Sequence, residues 1–176
     1  MAGGKASVME AGRKREFPPN MVNLLRTSQQ MHLTLSQMAD QKANMLLAAT
    51  FVVFTITIGQ VRQVDYPLPL LLLGGGAFFS AIFAVLAVMP AAHFKTGGKL
   101  NLLFFGSFCR LEEEDFLERL LTEMEDEEQA FRMMARDLYQ NGIVLERKKY
   151  RLLAYAYWIF LAGLVAAAAA FVLDYF

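Results

Sequence analysis

Cysteine and histidine are nearly missing from the 176 residues: Cys109 stands alone, and the two histidines are His32 and His93. A single cysteine excludes an internal disulfide, and two isolated histidines cannot assemble a Cys/His set with metal-ligand spacing. GxSxG, Walker A, a GxGxxG before a helix, HExxH and CxxC are all absent, so the chain reads as a non-enzyme. Both histidines flank apolar runs and read as interfacial side chains, and Cys109 reads as packing. The acidic run from Glu123 to Glu128 has no histidine beside it and no EF-hand spacing, so it reads as a solvated helix face. Neither a metal nor a resident cofactor is expected.

Charge is the second absence, and it is local. Residues 43–61, 67–90 and 152–175 contain no Asp, Glu, Lys or Arg until Asp174. At about 1.5 Å rise per residue, even the shortest of these runs covers about 28 Å as a helix, close to the roughly 30 Å hydrocarbon thickness of a bilayer. A hydrophobic fraction of 56% and a positive mean hydropathy agree with membrane class. The expected fold is therefore all-α, an integral membrane protein with three transmembrane helices and a small cytoplasmic helical layer. Its parts are a disordered basic tail (1–19), a cytoplasmic amphipathic helix (20–42), span one (43–61), span two (67–90), a cytoplasmic loop and amphipathic helix (91–151), and span three (152–175).

Net charge is zero, with 17 residues of each sign, yet nearly all of them lie in two segments. Arg26, Lys42, Lys95, Lys99, Arg147, Lys148, Lys149 and Arg151 border the membrane from the N-terminal arm and residues 91–151, whereas the opposite side offers only Arg62. The positive-inside rule makes the arm and the middle segment cytoplasmic and puts the C-terminus outside. No apolar signal region follows the basic N-terminus, and Met1-Ala2 does not match a myristoylation start. The cluster Arg13-Lys14-Arg15 reads as solubilising, so no nucleic-acid partner is expected; the lipid bilayer is the first partner.

From Ser28 to Val61 no Pro breaks the chain, so one helix is expected to pass from the cytoplasm into the membrane near Lys42. Before Lys42, the residues Met21, Leu24, Ser28, Met31, Leu35 and Met38 form one stripe, and Leu24, Met31, Met38 and Met45 repeat at seven. Two partners fit such a stripe: a parallel coil with other copies, or the chain's own middle segment. Asn44, Thr50, Thr55 and Thr57 read either as a pore lining or as hydroxyl and amide groups satisfied within the packing. Gly76, Ser80 and Ala84 in span two and Ala162, Ala166 and Ala170 in span three, the latter beside Gly163 and Ala167, form small-residue grooves for helix packing.

Between spans two and three, Gly97-Gly98 and Gly106 interrupt an apolar loop. Glu112 to Asp115 then open a helix at its positive dipole end, with an expected apolar face of Phe116, Leu120, Met124, Phe131, Met134, Leu138 and Leu145. Gly142 marks a kink, and the basic cluster from Arg147 to Arg151 is a headgroup anchor.

Three ordered stretches carry a resemblance: MADQKANMLL (38–47), NLLFFGSF (101–108) and KYRLLAYAY (149–157). With their order and spacing, the chain resembles the transmembrane effector family of the Pycsar antiphage system over roughly residues 24–172. The resemblance implies a bacterial inner-membrane protein activated by a cyclic pyrimidine mononucleotide, cyclic UMP or cyclic CMP, from a partner pyrimidine nucleotide cyclase. Activation then impairs the membrane and aborts infection. A homo-oligomer is expected, since several copies can share the energy of a ligand-driven transition. A different class remains: a non-conducting membrane scaffold whose cytoplasmic helices dock a protein.

A cyclic mononucleotide needs a cation or N–H groups for its phosphate, an amide for the base edge and a plane for stacking. Lys99, Asn101, Phe105 and Arg110 supply that set, with Asp40 and Lys42 at the same depth. The competing reading makes Asp40, Lys42 and Arg110 an ion-pair network that ties the loop to the first helix.

Overall fold

The structure, a computed structural model, describes residues 16–90 and 100–175. Most of the expected N-terminal tail, His93, Lys95 and the Gly97-Gly98 break lie outside the described residues. Every regular element among the described residues is helical: α1 (Met21–Gln60), α2 (Leu68–Val88), a single turn α3 (Phe105–Phe108), α4 (Glu113–Met124), α5 (Glu127–Val144), a π-helical segment (Leu145–Tyr150) and α6 (Arg151–Tyr175). Three helical stretches are long and apolar enough to cross a membrane: Met21–Gln60, Leu68–Val88 and the continuous Glu127–Asp174. The protein is an all-α chain with three such spans.

α2 is the centre of the membrane layer, packed most extensively on α6 and next on α1. Small residues permit this. A Cβ on Gly76 or on Gly163 would stand 2.8 Å from the other's Cα, so the two backbones touch where the helices cross. Ser80, fully buried, donates from Oγ to the carbonyl of Ala156 at 2.7 Å, and Ala84 and Ala156 are fully buried beside it. On α6 the contact runs through Ala156, Gly163, Ala167 and Ala170, while Ala162 faces outward and Ala166 is half-buried. The groove thus follows Gly163 and Ala167, because Gly163 is where the axes approach most closely. Thr50, Thr55 and Thr57 donate their hydroxyls to carbonyls of their own helix, three or four residues back.

α1 runs unbroken for 40 residues, yet its buried face is not the stripe of large residues. Leu25, Ala39, Ala43 and Leu46 face the protein, whereas Leu24, Met31, Met38 and Met45 are between 43% and 70% exposed. Close packing on α2 and α6 selects alanines and leaves the long methionines outside.

The segment between spans two and three divides where one helix is expected. α4 ends at Met124, and Asp126 starts α5 as an N-cap whose carboxylate accepts from Glu128 N–H at 3.1 Å. The buried positions of α5 are Met133, Asp137 and Gln140, rotated from the expected Phe131, Met134 and Leu138, which are half-buried; Met124 is exposed. At its other end α5 passes without a break through the π-helical segment into α6. The distortion lies a few residues beyond Gly142, whose hydrogen faces the ring of His32: a Cβ there would stand 3.3 Å from His32 Cε1.

Candidate functional site

Where α1 leaves the apolar layer, its polar residues meet the π-helical segment. The ammonium of Lys149 donates to both carboxylate oxygens of Asp40 at 2.6 and 2.7 Å and to Ser36 Oγ at 2.7 Å. Tyr150 OH donates to the Leu35 carbonyl at 3.2 Å, and Tyr157 OH to the Lys42 carbonyl at 3.3 Å. On the neighbouring side Lys148 Nζ donates to the carbonyls of Met89 and Pro90, at 2.5 and 2.7 Å, just past the end of α2. Desolvation and then the charge of Lys149 lower the Lys148 pKa below 10.5. The π-helical segment is thus bonded to spans one and two and is continuous with span three. A π-helix bonds i to i+5, and such distortions recur at functional sites.

About three helical turns before Lys149 a second junction is buried. Asp137 accepts from Gln29 Nε2 and from Asn101 Nδ2, each at 2.9 Å, while Asn101 Oδ1 accepts from Leu103 N–H at 2.9 Å. Asn101 is 1% exposed and Asp137 6%. One carboxylate therefore clamps α1, α5 and the loop after residue 99 together. No Lys or Arg pairs with it among the described residues.

Between the two junctions, α1 and α5 enclose a cavity of about 280 Å3. Gln29, His32 and Ser36 line one wall, and Asp137, Asn141 and Lys149 the other. The Nδ1 of His32 is shut off from solvent there, with no hydrogen-bond partner among the described residues. No His, Cys, Asp and Glu grouping suited to a metal occurs among the described residues.

The residues singled out in the sequence are distributed unevenly around this layer. Lys99 and the side chain of Phe105 lie outside what the structure describes. Asn101 sits in the buried clamp, and Asp40 in the pair with Lys149. Lys42 and Arg110 are exposed, and neither pairs with Asp40, so the ion pair that holds this layer runs from α1 to the π-helical segment and not to the loop. Lys149 wins because its Nζ reaches Ser36 and Asp40, one turn apart on α1, at the same time.

Asp137, Gln29 and Ser36 were not visible as functional from the sequence. The buried stripe holds Met133, Asp137, Gln140 and Leu145, two of them polar, so its hydrophobic signal is weaker than that of the neighbouring Phe131, Met134 and Leu138 one residue away.

A family model described as the Pycsar effector protein domain matches residues 23–174. No curated protein and no solved structure matches.

Proposed function

This chain belongs to the Pycsar effector family, and from that premise we propose that it is a membrane effector of antiphage defence. In this reading a cyclic pyrimidine mononucleotide, cyclic UMP or cyclic CMP, made by a partner cyclase binds the cytoplasmic layer, and the spans respond by breaching the bacterial inner membrane. The observation that carries it is the coincidence of the family match with one joint: the matched residues contain all three spans and the π-helical segment that ties them together. The arm and residues 91–151 are cytoplasmic in this reading, and the C-terminus is outside. The chain binds and transmits; it catalyses nothing.

Ligand binding drives such a change only through its differential affinity for the two states, and moving 1:99 to 99:1 takes about 5.5 kcal/mol. Several copies can share that energy. Copies inserted in one membrane have one orientation, so their α1 helices meet in parallel, and the exposed Leu24, Met31, Met38 and Met45 repeat at the seven-residue interval that a parallel seam requires.

The test is membrane potential in bacteria that express the protein together with a cyclase making cyclic UMP, cyclic CMP or cyclic AMP. Collapse with a pyrimidine nucleotide and not with cyclic AMP is the expected result. A steady potential under every nucleotide, with the protein shown to be inserted, overturns the reading and leaves a non-conducting scaffold.

A further inference from the structure

Two guanidinium groups of the cytoplasmic layer have no ion-pair partner among the described residues, and they face one cavity. Arg119 of α4 and Arg136 of α5 line a space of about 350 Å3, closed on a third side by the stretch from Leu100 to Leu102. Small-molecule sites run from about 300 Å3 upward. Leu100, Leu102 and Met133 give it an apolar wall, and Thr122 with Glu118 and Glu123 give it acceptors. Spacing of one, four and five residues from Glu118 puts all the α4 contributors on one face of that helix.

We propose that this cavity is the ligand site: Arg119 and Arg136 take the single phosphodiester anion of a cyclic mononucleotide, a carboxylate of α4 accepts its ribose hydroxyl or base N–H, and the leucine wall covers the base. The proposal rests on the reading of the chain as a nucleotide-gated effector. Its chemistry follows from the charges. Guanidinium groups without carboxylate partners are free to bind a phosphate bidentately. The cavity beside α1 is less suited, because the one Lys or Arg that lines it, Lys149, is already committed to Asp40 and Ser36.

The position also supplies a route to the spans. Leu100 and Leu102 flank Asn101, and Arg136 precedes Asp137, so residues lining the cavity alternate with those of the buried clamp. A ligand that draws Arg136 or the leucine wall inward moves the Asn101–Asp137 pair, and Gln29 carries that displacement to α1, which continues as span one.

The experiment is equilibrium binding of cyclic UMP, cyclic CMP and cyclic AMP to the full chain in lipid nanodiscs, for the parent and for Arg119→Gln, Arg136→Gln, Thr122→Trp and, as a control at an exposed guanidinium of α1, Arg26→Gln. Loss of one charge-assisted contact weakens binding about tenfold or more. Both cavity arginine variants should show that loss with a shallower salt dependence, Thr122→Trp should lose binding by filling the space, and Arg26→Gln should stay near the parent. Thermal unfolding of each variant identifies any that fails to fold, and the exposed Thr122 keeps the test independent of the arginines. Parent-like affinity in a folded Thr122→Trp and in both arginine variants overturns this site while the gated-effector reading stands. Absence of pyrimidine-nucleotide binding by the parent overturns that reading and the site with it.

Discussion

Asn101 shows how much a single buried amide can hold. Its Nδ2 donates to Asp137 and its Oδ1 accepts from Leu103 N–H, so removing the amide strands a buried carboxylate oxygen and a backbone donor together. Unsatisfied buried groups cost about 1–3 kcal/mol each. Asn101→Leu should therefore lower the thermal midpoint in detergent by several degrees, an effect absent from a substitution at the exposed Arg110. Gly76 and Gly163 make a comparable statement inside the membrane. Gly76→Val would press a branched side chain against the backbone of Gly163, with no flexible neighbour to yield, at a cost of about 1–3 kcal/mol or a displaced helix. Thermal unfolding reads the first outcome, and altered cysteine cross-linking between α2 and α6 the second. Glycines 76 and 163 were legible as small residues in helices; that they meet each other was not, because contact partners are set by where two axes cross.

The π-helical segment is the element with the most consequences. Lys149 bonds α1, and Lys148 bonds the end of α2. Lys149→Met should loosen the α1 attachment; a double-mutant cycle with Asp40→Asn should give a coupling of about 1 kcal/mol, since Asp40 is partly open to solvent. Lys148 carries a pH signature. Its folded pKa lies below 10.5, so the folded chain holds that proton less firmly than the unfolded chain. The group weighs against folding while both states are protonated, and that weight lifts as pH rises from the folded pKa toward 10.5. A side-chain NMR titration with selectively labelled lysine should place Lys148 below 10.5, and Met89 and Pro90 carbonyl contacts should weaken as it deprotonates. Sequence periodicity placed α4 and α5 on one continuous helix because acidic residues at 123–128 tolerate either geometry. Asp126 decides for a break by capping Glu128 N–H.

For the whole molecule, the face that α1 turns outward is the consequential feature. Its methionine stripe predicts oxidative cross-linking between copies of Met31→Cys or Met38→Cys in membranes, made in a Cys109→Ser background, and none for Leu25→Cys, which faces the protein's own helices. Loss of that contrast would mean that copies meet elsewhere or not at all. The three spans, the helical class and the segregation of charge were determined by the sequence alone, because transfer of an apolar helix into lipid depends on the composition of about 20 consecutive residues and on little else. Tertiary structure decided which stripe of α1 is covered, which cation Asp40 takes, that Asp137 is a clamp, and that Arg119 and Arg136 share a cavity. A helix turns about 100° per residue, so a face assigned one position away is a different face, and only the neighbouring helices determine which of the adjacent stripes is buried.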